Sequence, residues 1–201
     1  KSIGAYITLD GEKEFRTATS ACNKSVAALK SEMKLAEAQT VGNANTLDTL
    51  KKKHDILSRT LDEHVKKEET VKKGLKNSEE QYEKVGNKLA EYKSKLQQTK
   101  SALEELENSS ETTEEALQEQ RELVEGLEKI VSKGEETYRR AGNRVSDWKK
   151  QLNNAEAQTI RATKALNEND TYLKEAEKSW KGCAKPHTAD VPNARAIRLI
   201  K

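Results

Sequence analysis

The sequence predicts an all-α chain. Long coiled-coil helices form most of it, with a short N-terminal strand and turn and an irregular C-terminal tail. Three observations carry this. Both prolines, Pro186 and Pro192, fall in the last 16 of 201 residues. Proline breaks a helix interior, so a proline-free stretch is what long helices require. Charged residues make up 35% and aromatic residues 4%, with one Phe and two Trp, too little apolar material for a thick, multilayer core. Finally, apolar side chains recur every 3.5 residues over most of the chain.

The N-terminal part, residues 1–45, is read first. Ala5-Tyr6-Ile7-Thr8-Leu9-Asp10-Gly11 has the pattern of a short strand ending in an Asp-Gly turn. Phe15, Ala18, Cys22, Val26, Leu29, Met33 and Ala36 then give a helical stripe over about 12–39. Val41-Gly42-Asn43-Ala44-Asn45 reads as a break, after which Thr46 can cap the next helix.

Residues 46–180 carry the dominant signal. Stepping from Leu47 by alternating threes and fours visits Leu50, His54, Leu57, Leu61, His64, Glu68, Val71, Leu75, Ser78, Tyr82, Val85, Leu89, Tyr92, Leu96, Thr99, Leu103 and Leu106. Ser110 and Thr113 interrupt the apolar series without changing its phase. Leu117, Gln120, Val124, Leu127, Val131, Gly134, Tyr138, Ala141, Val145, Trp148, Leu152, Ala155, Thr159, Ala162, Leu166, Asn169, Leu173, Ala176 and Trp180 continue it. So narrow a stripe predicts a coiled-coil seam with its large apolar members as core. The remaining positions are a solvated surface. A continuous helix over 47–180 would be ~200 Å long at ~1.5 Å per residue.

An internal repeat lies inside this frame. EEQYEKVGNKLAEYKSKLQQ (79–98) aligns with EETYRRAGNRVSDWKKQLNN (135–154) at an offset of 56 residues, eight heptads. A whole number of heptads keeps every side chain on its original face. Gly86 recurs as Gly142. Each glycine costs ~1 kcal/mol of helix propensity relative to Ala. Close helix approach, local flexibility and plain inheritance by duplication all account for the recurrence.

Asn108-Ser109-Ser110-Glu111-Thr112 is the candidate break, with Thr112 and Glu115 in capping-box spacing. Either the helix runs through it, or 47–107 folds back on 113–180 as a hairpin. The unbroken phase favours run-through, since a turn has no reason to preserve phase. Residues 181–201 lose the heptads and form an irregular basic tail. Lys181, Lys185, Arg195, Arg198 and Lys201 against Asp190 give it +4, so the rest sums to −1 of the net +3.

Several function classes are disfavoured. So balanced a charge does not suit a non-specific nucleic-acid binder, and no specific nucleic-acid motif is present. No run of 18 apolar residues offers a membrane span. The first residues lack an apolar signal-peptide core and an initiator Met, so the chain is expected to be a fragment or a processed product. GxSxG, HExxH, Walker A and GxGxxG motifs are absent, so neither an enzyme, a cofactor nor a small-molecule substrate is expected. Cys22 and Cys183, far apart and outside any metal-ligating pattern, read as reduced thiols. His54, His64 and Glu68 occupy core positions. They could gather an ion from several chains, but a polar core layer that fixes register is the reading taken.

The opening YITLDGEKEFRTATSACNKSVAALKSEMKLAEAQTVGNANTLDTL resembles the N-terminal region of tape measure proteins from long-tailed phages of Gram-positive hosts. The strings LDGEKEF (9–15), LKSEMK (29–34) and GNAN (42–45) are its most specific pieces. The Tyr-x-x-x-Gly-Asn repeats at 82–87 and 138–143, WKxxLNN (148–154) and EKSWKGCA (177–184) also fit. The resemblance covers about residues 3–184. It implies a structural ruler that sets tail tube length during assembly in the bacterial cytoplasm and then occupies the tube lumen in the virion. Implied partners are its own copies, as a small multimer such as a trimer, the tail tube protein, tail assembly chaperones and the tail tip. Family members are much longer. From Lys185 the sequence KPHTADVPNARAIRLIK leaves the pattern, which a truncated or frameshifted gene, or an artificial boundary of the chain, would explain. The alternative to a ruler is a helical-hairpin interaction or adaptor module of a bacterium.

Overall fold

The computed structural model describes residues 12–39, 46–110 and 113–183. The expected N-terminal strand and the break at 41–45 lie outside the described residues, as does the expected irregular tail of 181–201 except for 181–183, which continue helix α3 instead. Within them the chain is all-α. Helix α1 spans Glu12–Gln39, α2 Leu47–Glu107 and α3 Glu114–Cys183. At ~1.5 Å per residue, α2 and α3 are ~90 and ~105 Å long.

The helix ends follow local chemistry. Thr46 caps α2, its side-chain oxygen accepting from the Thr49 amide at 3.4 Å, as the sequence predicts. Asn108 closes α2. Its backbone N–H and its side-chain amide both donate to the Glu104 carbonyl, at 3.1 and 2.8 Å. The cap of α3 is Thr113, one residue beyond the predicted Thr112. Its hydroxyl accepts from the Ala116 amide at 3.3 Å. Glu114 and Glu115 in the first turn of α3, and Lys181 in its last, suit the helix dipole.

Helix α3 lies antiparallel along α2. Polar contacts between them run from Arg121–Glu107 at 3.0 Å beside the turn to His54–Asp170 at 2.7 Å near the far end. The chain therefore folds back between α2 and α3, and the ~200 Å straight helix favoured by the phase argument is not the arrangement observed. Helix α1 packs antiparallel on the first half of α2, where Glu32 meets Arg59 at 2.5 Å and Glu37 meets Lys53 at 3.5 Å. One half of the molecule is thus three helices thick and the other half two.

Many of the buried side chains of α2 and α3 lie at seven-residue spacing, while Thr49, Ile56 and Gly74 of α2 are buried outside that series. On α3, Leu127, Gly134, Ala141, Trp148, Ala155, Ala162 and Asn169 are all buried, at strict seven-residue spacing. On α2, Leu50, His64, Val71, Ser78 and Val85 are buried in the matching series. Leu89 is also buried. The other predicted core members are half-buried: Leu57, Tyr92 and Leu106 within the same series, and Leu47, Leu61, Leu75, Tyr82, Leu96 and Leu103 on α2 and Leu117, Val124, Val131, Tyr138, Val145, Leu152, Leu166 and Leu173 on α3 beside it. Trp180, predicted as core, is instead 66% exposed. Asn169 bonds the Leu50 carbonyl, so α2 begins opposite about residue 172, and Trp180 lies two turns beyond it.

Candidate functional site: a repeat paired with itself

The fold-back brings the two repeats together. Tyr82 and Tyr138 stack with centroids 4.4 Å apart and planes 17° from parallel. Each ring lies over the other repeat's glycine. A Cβ on Gly86 would stand 3.0 Å from the Tyr138 ring, and one on Gly142 would stand 3.3 Å from the Tyr82 ring. Close helix approach is therefore the use of these glycines. The Tyr138 hydroxyl, bonded to that of Tyr82, raises the pKa of Tyr82.

The ion pairs obey the same symmetry. Lys93 pairs with Glu135 at 2.6 Å, and the equivalent Lys149 pairs with Glu79 at 3.4 Å. Adding 56 to one pair's α2 member and subtracting 56 from its α3 member yields the other pair. The repeats are thus related by an internal two-fold axis near the tyrosine stack. All four groups are about half exposed, so each bridge contributes at most ~1 kcal/mol, and the pairs act chiefly on register.

Two differences break the symmetry. Lys100 pairs with Glu128 at 2.6 Å, whereas the symmetry-related positions carry the opposite order of charge, Lys72 facing Glu156. The second is at Trp148, 1% exposed, whose counterpart is Tyr92. The indole lies flat over Gly74, where a Cβ would stand 2.9 Å away. Phe15 of α1 and the indole form a T-shaped pair, with centroids 6.3 Å apart and planes at 87°. Beside them Glu12 pairs with Arg144 at 2.9 Å. Gly74 corresponds to Ile130, which leaves no equivalent notch in the other half.

A second face of α2, missed by the single-stripe reading, is shared between α1, which reaches Lys53 through Glu37, and α3, which covers Gly74 and bonds Lys67 through Gln158. Thr49, Lys53, Ile56, Thr60, Glu63, Lys67, Thr70 and Gly74 recur at threes and fours, and all are at least half-buried. Only Ile56 is a large apolar residue, so no hydrophobic period marks this face; the sole available signal was that the α1 stripe needed a seat. On α1 itself, Val26 and Leu29 are buried as expected, but Thr19 replaces the predicted Ala18, which is exposed. The Cys22 thiol is free and half-buried, and burial pushes its pKa up.

The predicted polar layers do not converge on one point. His54 Nδ1 lies 2.7 Å from an Asp170 carboxylate oxygen, both partly exposed. Glu68 is held below the usual carboxylate range by its bonds to Lys72 and to Thr159 of α3. His64 is buried, and its Nδ1 has no hydrogen-bond partner. Among the described residues no group of three or more His, Cys, Asp or Glu side chains is placed to hold a metal ion.

Burial, with Lys67 and Lys30 adding to it, lowers the pKa of His64 below 6.5. The folded chain therefore keeps His64 neutral under conditions where the unfolded chain protonates it. Its contribution to stability is complete above pH 6.5 and is lost as pH falls through the folded pKa. His64→Leu is expected to raise the melting temperature at pH 5.5 more than at pH 7.5. Equal gains at both pH values would show that His64 does not titrate against folding in that window.

No helix among the described residues is long and apolar enough to cross a membrane. No family model, no curated protein and no solved structure matches the chain.

Proposed function

We propose that the chain is a non-catalytic structural element, the N-terminal segment of a phage tail tape measure whose helices pack as coiled coils. One observation carries this reading: the 56-residue repeat is a whole number of heptads, so both copies present their stripe on the same face of the helix. A unit of this kind can be added or removed without moving the seam off its face, which is the property a ruler needs. The family strings at 9–15, 29–34 and 42–45 support the assignment to tails. Its partners are then further copies of itself, the tail tube protein, assembly chaperones and the tail tip. Its places are the bacterial cytoplasm during assembly and afterwards the virion tail.

The test is deletion of residues 82–137 in an intact phage. Tails should shorten by ~84 Å, at ~1.5 Å for each residue removed. Tails of unchanged length would refute the ruler. The fold-back itself favours a second reading, a bacterial helical-hairpin adaptor. A separation of a few tens of ångströms between labels at Leu47 and Trp180 inside an assembled tail would favour the adaptor, because a ruler must be extended there.

A further inference from the structure

We propose that two copies of this chain exchange arms: each straightens through residues 108–113 and lays its α2 along the other's α3. This does not depend on the tape measure reading. It rests on three features of the seam.

The first is phase. Leu106, Thr113, Gln120 and Leu127 follow one another at sevens across the turn, so a straightened helix keeps the α2 and α3 stripes on one face. A hairpin gains nothing from this, because its arms are joined by a turn that can begin in any phase. A straight chain paired antiparallel with a second copy requires it. Residues facing each other across the hairpin have numbers summing to about 222, as Gly74 and Trp148 do. The same pairing between chains places a molecular two-fold axis at about residue 111, and every seam contact is reproduced.

The second is the cost of opening. Asn108, Ser109, Ser110 and Thr113 are exposed, and Asn108 bonds back into its own helix at Glu104. Straightening removes two caps and adds helical hydrogen bonds, while the buried seam is exchanged rather than lost.

The third is partner choice. The repeat is self-complementary, since Tyr82 with Gly86 and Glu79 with Lys93 are the complete set that one copy needs to pair with another α2. The reversed charges prevent that. Pairing α2 with a second α2 would set Lys72 against Lys100, and pairing α3 with α3 would set Glu128 against Glu156. Only α2 on α3 places Lys100 on Glu128 and Lys72 opposite Glu156. The repeat thus supplies the adhesive contacts, and the charge reversal fixes which arm of the second copy is accepted.

The test uses the full chain and two full-length variants. In one, residues 108–113 become Ala-Glu-Ala-Ala-Lys-Ala, which keeps the phase. In the other, two further Ala residues lengthen this linker and rotate the stripes ~200° apart. Isotope-labelled and unlabelled chains are mixed, refolded together and treated with a zero-length carboxyl–amine crosslinker.

The wild type should give some mixed-isotope Lys93–Glu135 crosslinks, rising with concentration. The phase-keeping variant should double in mass, and its intramolecular Leu47–Trp180 label distance should grow severalfold to ~200 Å. The lengthened variant should lose the doubled mass. Same-chain crosslinks alone in both wild type and phase-keeping variant would overturn the proposal. So would equal dimerisation of the two variants, which would show that phase is irrelevant.

Discussion

Trp148→Ala is expected to destabilise the fold by about 3–5 kcal/mol, the range for deleting a buried large aromatic. Trp148 joins all three helices. Its indole covers Gly74 of α2, forms a T-shaped pair with Phe15 of α1, and is 1% exposed. Removing it leaves a void over Gly74 and beside the Phe15 ring. Helix α1 should suffer first, because Phe15 loses the ring it packs on while the rest of the α1 seat is largely polar. Limited proteolysis should therefore cut α1 before α2 or α3, and the melting curve followed by helical circular dichroism should broaden as it shifts down. Trp180→Ala is the matched control, since that side chain is 66% exposed, and it should change stability by no more than about 0.5 kcal/mol. A loss below about 1 kcal/mol for Trp148→Ala would mean that the three helices are not held at this point.

The seam was legible because its members announce themselves in two ways at once, by apolar character and by spacing. Leu50, Val71, Val85 and Leu127 are buried where the frame places them. What the frame does not encode is where a stripe finds its cover. A stripe on α2 can be covered by a second chain or by α3 of the same chain, and seven-residue spacing is the same in both. The turn was visible as a cluster of Asn, Ser and Thr, yet composition alone gives no measure of whether a helix crosses it. The α1 seat was illegible for a different reason. Thr49, Lys53, Thr60, Glu63, Lys67 and Thr70 are residues that solvent-facing helices also carry. Their partial burial comes from aliphatic stems and from partners on other helices, such as Glu37 for Lys53 and Gln158 for Lys67.

The repeat was legible as a sequence and opaque as a device. Tyr82, Gly86, Glu79 and Lys93 recur at one offset, but only antiparallel pairing makes Tyr meet Gly and Lys meet Glu in both directions. The phase kept across 108–113 has a similar status. In a hairpin it has no function, and in an arm-exchanged pair it becomes a requirement. The fold and the frame are therefore compatible without being redundant.

Gly74→Ala and Gly126→Ala are expected to move stability in opposite directions, although helix propensity alone predicts the same gain of about 1 kcal/mol for both. A Cβ on Gly126 meets nothing within 4 Å, so that gain is realised in full. A Cβ on Gly74 stands 2.9–3.0 Å from three carbons of the Trp148 ring. Those contacts lie inside van der Waals distance, and Phe15 packs against the same buried ring, so relieving them requires the indole to shift. Overpacking of this kind costs about 1–3 kcal/mol, which exceeds or cancels the propensity gain and leaves a net loss of up to about 2 kcal/mol. Gly74→Ala combined with Trp148→Phe should recover part of that loss, because the smaller ring vacates the position the methyl needs. Denaturant melts of the four chains measure this directly. If Gly74→Ala stabilised the protein as Gly126→Ala does, the flat seat of the indole on α2 would be wrong, and with it the account of how α3 is held against α2 beneath α1.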